Sequence, residues 1–291
     1  MKFNFKIQPY QTDAVESIVG VFAGQPKFDE TSDNTIYARD FWKKVKTVSK
    51  EEIQALQLHF NVLGDSIDVS DAEEQLDAAG YRNADIVLSD QQLLENINTI
   101  QAQQNIYKSS KLFSDIGRVS LDVEMETGTG KTYVYVKTMF ELNKQYGWSK
   151  FIVVVPSSAI REGVKKSMEM TVEHFMDHYG MKARFFIYNS SNLNALDKFS
   201  SDAGINVMII NTQAFATSMK KDAKNKESRI IYSKRDEFNS RRPIDVIKVN
   251  RPIVILDEPQ KMGGAATQTG IKNFNPLFLI NYSATHKNHH N

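Results

Sequence analysis

Beyond residue 118, short apolar runs alternate with stretches of helical spacing. The runs 119–125, 151–155, 183–188, 207–211, 253–256 and 277–282 read as strands. Several are β-branched and apolar throughout, the pattern of strands covered on both faces of a parallel sheet. Residues 131–146, 158–179 and 212–221 carry helical periodicity and follow the first, second and fourth of these strands. The alternation predicts an α/β fold whose open, mostly parallel, doubly wound sheet is flanked by helices. In such sheets ligands sit beyond the carboxyl ends of the strands.

The N-terminal part has a different texture. Residues 3–7 alternate like a short strand, and Pro9 stands where a helix can begin. Ala14, Val15, Ile18, Val19 and Phe22 then mark one helical face that closes at Gly24. Between 26 and 117, Ser49 with Glu52, Ser70 with Glu73 and Ser89 with Gln92 form three capping boxes, each followed by a helical pattern. The expected organisation is an N-terminal strand and helix over 1–25, a mostly helical insertion over 26–117, and an α/β lobe over 118–291.

Composition narrows the picture only a little. With 41% hydrophobic and 24% charged residues among 291, the chain is ordinary globular material, long enough to bury a core. Its net charge of +1 gives no global attraction to nucleic acid, so any such surface is local. The absence of cysteine excludes disulfides and thiolate metal sites and fits a reducing compartment. No apolar run approaches the roughly 18 residues of a membrane span, and the N-terminal residues lack a signal peptide's apolar stretch. A soluble cytoplasmic protein is the expectation.

The stretch with most chemistry is Met125-Glu126-Thr127-Gly128-Thr129-Gly130-Lys131-Thr132, set between a strand and a helix. That context turns a glycine loop into a phosphate-binding candidate. Its glycines let successive N–H groups point inward at the positive end of the next helix. Lys131 is placed to reach the β- and γ-phosphates, and the Thr132 hydroxyl to hold Mg²⁺. One departure stands out: the usual pattern opens on glycine, and here that slot is Met125.

A second constellation lies further along, where Ile253-Val254-Ile255-Leu256 stops at Asp257-Glu258-Pro259-Gln260. A strand ending in a polar turn looks the same, but the phosphate loop in the same alternating region gives the acids a task. Asp257 would hold Mg²⁺, usually through water, and Glu258 would position and polarise an attacking water.

The ordered set of Met-Glu-Thr-Gly-Thr-Gly-Lys-Thr, Asp-Glu-Pro-Gln and Tyr282-Ser283-Ala284-Thr285-His286 resembles the motifs of superfamily 2 helicases and translocases. The form Asp-Glu-Pro-Gln, and Met-Glu-Thr ahead of the loop, resemble the restriction (Res) subunit of type III restriction–modification enzymes. Val155-Pro156-Ser157-Ser158-Ala159-Ile160-Arg161-Glu162-Gly163-Val164 and Lys261-Met262-Gly263-Gly264 agree. The resemblance runs from Tyr10 to His286 and is weakest across the insertion.

The resemblance implies a RecA-like P-loop NTPase lobe that takes ATP and Mg²⁺, acts on double-stranded DNA and works with a modification methyltransferase (Mod) subunit. It places Tyr10 and Gln11 at an adenine-reading motif, where an amide can satisfy both edges of the base. Together with Glu126, Thr127, Gly128, Thr129, Gly130, Lys131 and Thr132 they make up the implied nucleotide site. Lys131 and Glu258 are the implied catalytic pair, and Thr132 and Asp257 the implied metal ligands. Ser157 and Ser158 would grip nucleic-acid phosphates, although plain helix caps look alike. Thr212 and Gln213 match a second such motif. Gln260, Ser283 and Thr285 belong to the motifs that couple hydrolysis to strand movement.

Three features remain. From Lys220 to Arg251 there are eleven Lys or Arg against five Asp or Glu, either a solvated loop or a strip touching a polyanion. His286, His289 and His290 have no acidic or cysteine companion and read as a solvated tail rather than a zinc site. Motors of this type use a second lobe, whose arginines stabilise charge in phosphoryl transfer. Neither that lobe nor a nuclease domain is expected within these 291 residues. The alternatives are a superfamily 2 DNA or RNA helicase of other biology, and a switch module that uses ATP without turnover.

Overall fold

The computed structural model describes residues 7–38, 79–114, 116–191, 193–216, 230–238 and 240–284. The capping boxes at Ser49 and Ser70, the strand expected over 3–7 (apart from Ile7), Thr285 and the terminal histidines lie outside these. Helix α1 (Pro9–Gly20) leads to an antiparallel pair, β1 (Ile36–Ala38) and β2 (Ala79–Tyr81). Helix α2 (Asp90–Gln103) follows, opened by the expected box in which Ser89 and Gln92 exchange hydrogen bonds. The antiparallel pair was not expected, since strands of three residues are too short for alternation to show.

The main sheet comprises β3 (Ser120–Glu124), β4 (Lys150–Val155), β5 (Arg184–Ile187), β6 (Asn206–Asn211), β7 (Ile253–Asp257) and β8 (Leu279–Ser283). All neighbours are parallel and the order is β3-β8-β7-β4-β6-β5. Every residue of β4, β6 and β7 is buried, their apolar stretches and also the polar Lys150, Asn206, Asn211 and Asp257 at their ends. Alternate side chains feed two cores. Phe151, Val153, Val155, Val207, Ile209, Ile253 and Ile255 face α1, α3 (Lys131–Tyr146) and α4 (Ser158–Tyr179). Ile152, Val154, Met208, Ile210, Val254 and Leu256 face α5 (Asn194–Ser201), α6 (Pro243–Val249) and α7 (Ala265–Asn273). Each such aliphatic side chain contributes roughly 1.5–3 kcal/mol relative to an exposed one. This is a doubly wound α/β lobe.

Two features of the chain ahead of β3 join it to this lobe. The buried Asn83 amide accepts from the N–H groups of Ser149 (2.8 Å) and Lys150 (3.0 Å). It also donates to the carbonyls of Lys150 (2.8 Å) and Arg251 (3.0 Å), tying the entrance of β4 to that of β7. On α1, Val15, Ile18 and Val19 are buried against α3, and Tyr146 donates to the Val19 carbonyl at 2.8 Å.

The helix expected over 212–221 is corrected. Thr212–Ala214 forms one 3-10 turn, Phe215 then enters the core, and residues 217–221 lie outside the described part. Helices α5, α6 and α7 went unread, being short, polar-rich or, in α7, interrupted by Gly270.

Candidate nucleotide site

The loop between β3 and α3 takes its shape from two glycines. Gly128 and Gly130 have φ of +84° and +88°, left-handed values that side chains adopt only under strain. A methyl group on Gly130 would also come within 2.7 Å of Gln11 Nε2, while Gly128 has open space around it. Thr129 Oγ1 closes the loop by donating to the Glu126 carbonyl at 2.6 Å. Gln11 Nε2 (2.9 Å) and the Tyr10 hydroxyl (3.1 Å) both donate to the Thr129 carbonyl, so α1 holds the loop from the side. Glu126, Thr127 and Gly128 face solvent. Met125 does not: it is buried in the core with α1 and α3, which accounts for an apolar residue in that slot.

Helix α3 starts at Lys131 with no side chain capping its first turn, so its N–H groups and positive end face the loop. The acidic pair arrives on β7, and β8 runs between β7 and β3. The segments on either side close over the tip of β8. Met125 N–H donates to the Ser283 carbonyl and Glu258 N–H to the Tyr282 carbonyl, each at 2.9 Å. Glu258 itself is left-handed, φ 64° and ψ 58°, a strain of order 1–3 kcal/mol. That backbone turns its carboxylate towards α3, where Oε1 meets Lys131 Nζ at 3.0 Å. The other carboxylate oxygen accepts from Gln260 Nε2, and Ser283 Oγ donates to Gln260 Oε1 at 2.8 Å. Ser283, Gln260, Glu258 and Lys131 therefore form one continuous hydrogen-bonded chain.

The two acids differ electrostatically. Burial, reinforced by the charge of Glu258, pushes the Asp257 carboxyl up to about 6 against the opposing pull of Lys131 and Lys261. Burial also acts on Glu258, but the hydrogen bond and charge of Lys131, with Gln260 and Lys261, outweigh it and hold that carboxyl below the ordinary range. Beneath them the buried Tyr135 hydroxyl donates to Thr132 Oγ1 at 3.3 Å and feels the charge of Asp257. Thr132 and Asp257 thus share one neighbourhood. A hydroxyl and a carboxylate are hard oxygen donors suited to Mg²⁺, an ion that keeps several waters and phosphate oxygens. No group of three or more His, Cys, Asp or Glu side chains that could hold a metal ion occurs among the described residues.

The same sheet edge carries a second group. Ser157 caps α4, accepting from Ile160 N–H at 3.4 Å. Ser158 Oγ accepts from Asn211 Nδ2 at 3.0 Å, and Thr212 Oγ1 donates to the Pro156 carbonyl at 3.4 Å. The ends of the adjacent strands β4 and β6 are stitched together this way, with Gln213 exposed beside them. Sequence reasoning missed Asn211 and Tyr135. An amide closing an apolar strand signals the first, and nothing in a helical tyrosine signals the second.

Three arginines in the described part of the basic stretch have acidic partners within the molecule. Arg241 pairs with Asp197 at 2.8 Å and stacks over Phe238. Arg242 forks onto Asp245, and Arg251 reaches Asp85 at 2.7 Å. Lys220, Lys221, Lys224 and Lys226 lie outside the described residues. Among the described residues no helix is long and apolar enough to cross a membrane.

A glycine loop opening a helix, and a carboxylate pair at the end of a strand one place removed, define a P-loop lobe. The family model described as type III restriction enzyme, res subunit, matches residues 91–288, more than half of the sequence, and the chain belongs to that family. It is 31% identical over 216 residues to the Type III restriction-modification enzyme EcoP15I Res subunit of Escherichia coli, covering 70% of this chain and 22% of that protein. It is 32% identical over 234 residues to the EcoPI Res subunit of Escherichia phage P1, covering 75% of this chain and 24% of that protein. The chain thus spans about a quarter of the length of these curated relatives. A crystal structure of the UvsW helicase from bacteriophage T4 matches at a TM-score of 0.37 and 11% identity, over 81% of this chain and 70% of that one, too weak a likeness to bear on the fold.

Proposed function

We propose that this chain is the ATP-binding motor lobe of a type III restriction Res subunit. In the full-length protein it couples ATP hydrolysis to translocation on double-stranded DNA before cleavage, alongside a modification methyltransferase that reads the site. The observation that carries this reading is the 3.0 Å contact between Lys131 and Glu258, made across the tip of β8 at the mouth of the phosphate loop.

The loop N–H groups from Gly128 to Thr132 bind and orient the phosphates, and Lys131 turns from Glu258 to the β- and γ-oxygens. Freed of its lysine, Glu258 orients a water and draws its proton as the water attacks the γ-phosphorus, while the bond from that phosphorus to the β,γ-bridging oxygen breaks and ADP leaves with the bond's electron pair. Mg²⁺, when bound near Thr132 and Asp257, neutralises phosphate charge. Tyr135 keeps the Thr132 hydroxyl in place. Gln11 and Tyr10 hold the loop, and the second amide hydrogen and the oxygen of Gln11 serve the adenine edge. Gln260 and Ser283 relay the state of Glu258 to β8; Thr285, outside the described residues, belongs to the same motif as Ser283. Ser157, Ser158, Thr212 and Gln213 grip nucleic-acid phosphates at the neighbouring strand ends.

Titration of the purified chain with a fluorescent ATP analogue and Mg²⁺ tests the reading. The 291 residues alone are expected to bind the nucleotide and turn it over slowly, because the arginines of the motif set belong to a second lobe. No saturable binding, or binding indifferent to Lys131→Ala, sinks it. Brisk turnover stimulated by DNA would show that one lobe suffices and remove the stated need for a second.

A further inference from the structure

Phe215 follows directly on the turn that carries Thr212 and Gln213, and its side chain is fully buried. The ring fills a notch on α7 opened by Gly270. A methyl group built on Gly270 would overlap the ring, with Cε2 at 2.8 Å. Gly270 lies inside a nine-residue helix, where glycine is a poor helix former, and its φ is not one that demands glycine. The ring against it is the physical reason for the residue. Two further ties lead to the same helix. Phe274 meets the ring edge-on, with centroids 4.9 Å apart. The Tyr232 hydroxyl donates to the Phe215 carbonyl at 3.1 Å and accepts from Asn273 Nδ2 at 3.4 Å. Helix α7 is also the element between the acidic turn and β8.

We infer that Gly270 and Phe215 are positioning residues: the notch on α7 seats the turn Thr212–Ala214 so that Thr212 and Gln213 face a nucleic-acid phosphate backbone. The inference rests on the phosphate-gripping role proposed for those two residues. Gly270 must lack a side chain for the ring to close, and the ring sets where the turn stands. The phosphate loop follows β3, which β8, β7 and β4 separate from the strand β6 that carries this turn.

The test uses the purified chain and three variants: Gly270→Ala, Gly270→Ala with Phe215→Leu, and Thr212→Ala. Affinity for a short DNA duplex at low salt is read by fluorescence anisotropy, and affinity for a fluorescent ATP analogue in parallel. Amide exchange is followed at Phe215 and Ala216, whose N–H groups bond to the Thr212 carbonyl at 3.3 and 2.8 Å. Gly270→Ala is expected to weaken duplex binding about tenfold, the scale of losing one or two phosphate hydrogen bonds. It should speed exchange at those two amides and leave nucleotide affinity unchanged. The double variant should restore duplex binding, because leucine lacks the ring atoms that overlap the new methyl group. The inference is overturned if duplex and nucleotide affinity fall together, if duplex affinity holds under Gly270→Ala while Thr212→Ala lowers it, or if the double variant restores nothing. Duplex binding that is absent, or indifferent to Thr212→Ala, refutes the phosphate-gripping role itself and this inference with it.

Discussion

Lys131 Nζ stands 3.0 Å from Glu258 Oε1, although the strands that deliver the two residues are not neighbours. Three local devices close the gap. Gly130 starts α3 from a left-handed turn, Glu258 bends its own backbone left-handed, and the tip of β8 accepts a backbone hydrogen bond from each side. Both side chains are mostly buried, so the pair is worth more than an exposed one, yet a triphosphate offers the lysine a stronger partner.

Replacing the lysine separates those partners. Lys131→Ala should weaken nucleotide affinity by about 10- to 100-fold, the scale of a lost hydrogen bond to a charged group. It should also let the Glu258 carboxyl rise, since Lys131 is what holds it down. Analogue titration measures the first effect and carboxyl NMR the second.

Glu258→Gln should act differently. Nucleotide binding persists or tightens, because a negative charge near the phosphates is removed while Gln260 keeps a hydrogen-bond partner. Single-turnover hydrolysis should fall by about 10²–10⁴, the usual contribution of a positioned base. Unchanged hydrolysis would take Glu258 out of the chemistry.

The two loop glycines should respond unequally to alanine. Gly128→Ala meets only the left-handed backbone penalty, about 1–2 kcal/mol. Gly130→Ala meets that penalty and also displaces Gln11, which packs against it and donates to Thr129. Affinity for the ATP analogue should fall further in the second variant. Equal losses would mean that the Gln11 contact does not shape the loop.

Lys150 gives a pH-dependent stability away from the site. Burial lowers its ammonium to about 7, with Asp202 opposing that shift and Arg184 adding to it. Below about pH 7 both folded and unfolded chains carry the proton, and the folded state bears the full burial penalty. Between there and the ordinary lysine value of 10.5 the unfolded chain binds more protons, so this group's contribution to stability rises with pH. Lys150→Met should therefore stabilise the chain more at pH 6.5 than at pH 9.5 in urea unfolding. The Asp202 carbonyl, which accepts from Lys150, keeps Asn206 Nδ2 as a partner in the variant. A gain that does not vary with pH would show that the lysine is not titrating as described.

Much of the lobe was legible because its signals are local. The runs that became β4, β6 and β7 could only be strands buried on both faces. The glycine loop and the apolar run ending in Asp257 and Glu258 announced themselves by spacing. Elsewhere local signals misled. The stretch after Asn211 has helical spacing, yet Phe215 leaves after one turn because its ring finds a notch on α7. Within the basic stretch, the partners of Arg241 (Asp197) and Arg251 (Asp85) lie more than 40 residues away in the chain, which no local spacing displays.

By itself the sequence determined which segments form the parallel sheet, where a phosphate loop turns into a helix, and that two acids end a buried strand. Those outcomes depend on period, glycine and chemistry within a few residues. Tertiary structure alone decided that β8 runs between the loop and the acids, that Met125 belongs to the core, that α1 grips Thr129, and that Gly270 makes room for Phe215. Each joins residues far apart in the chain, and a contact made by packing leaves no period for a sequence to display.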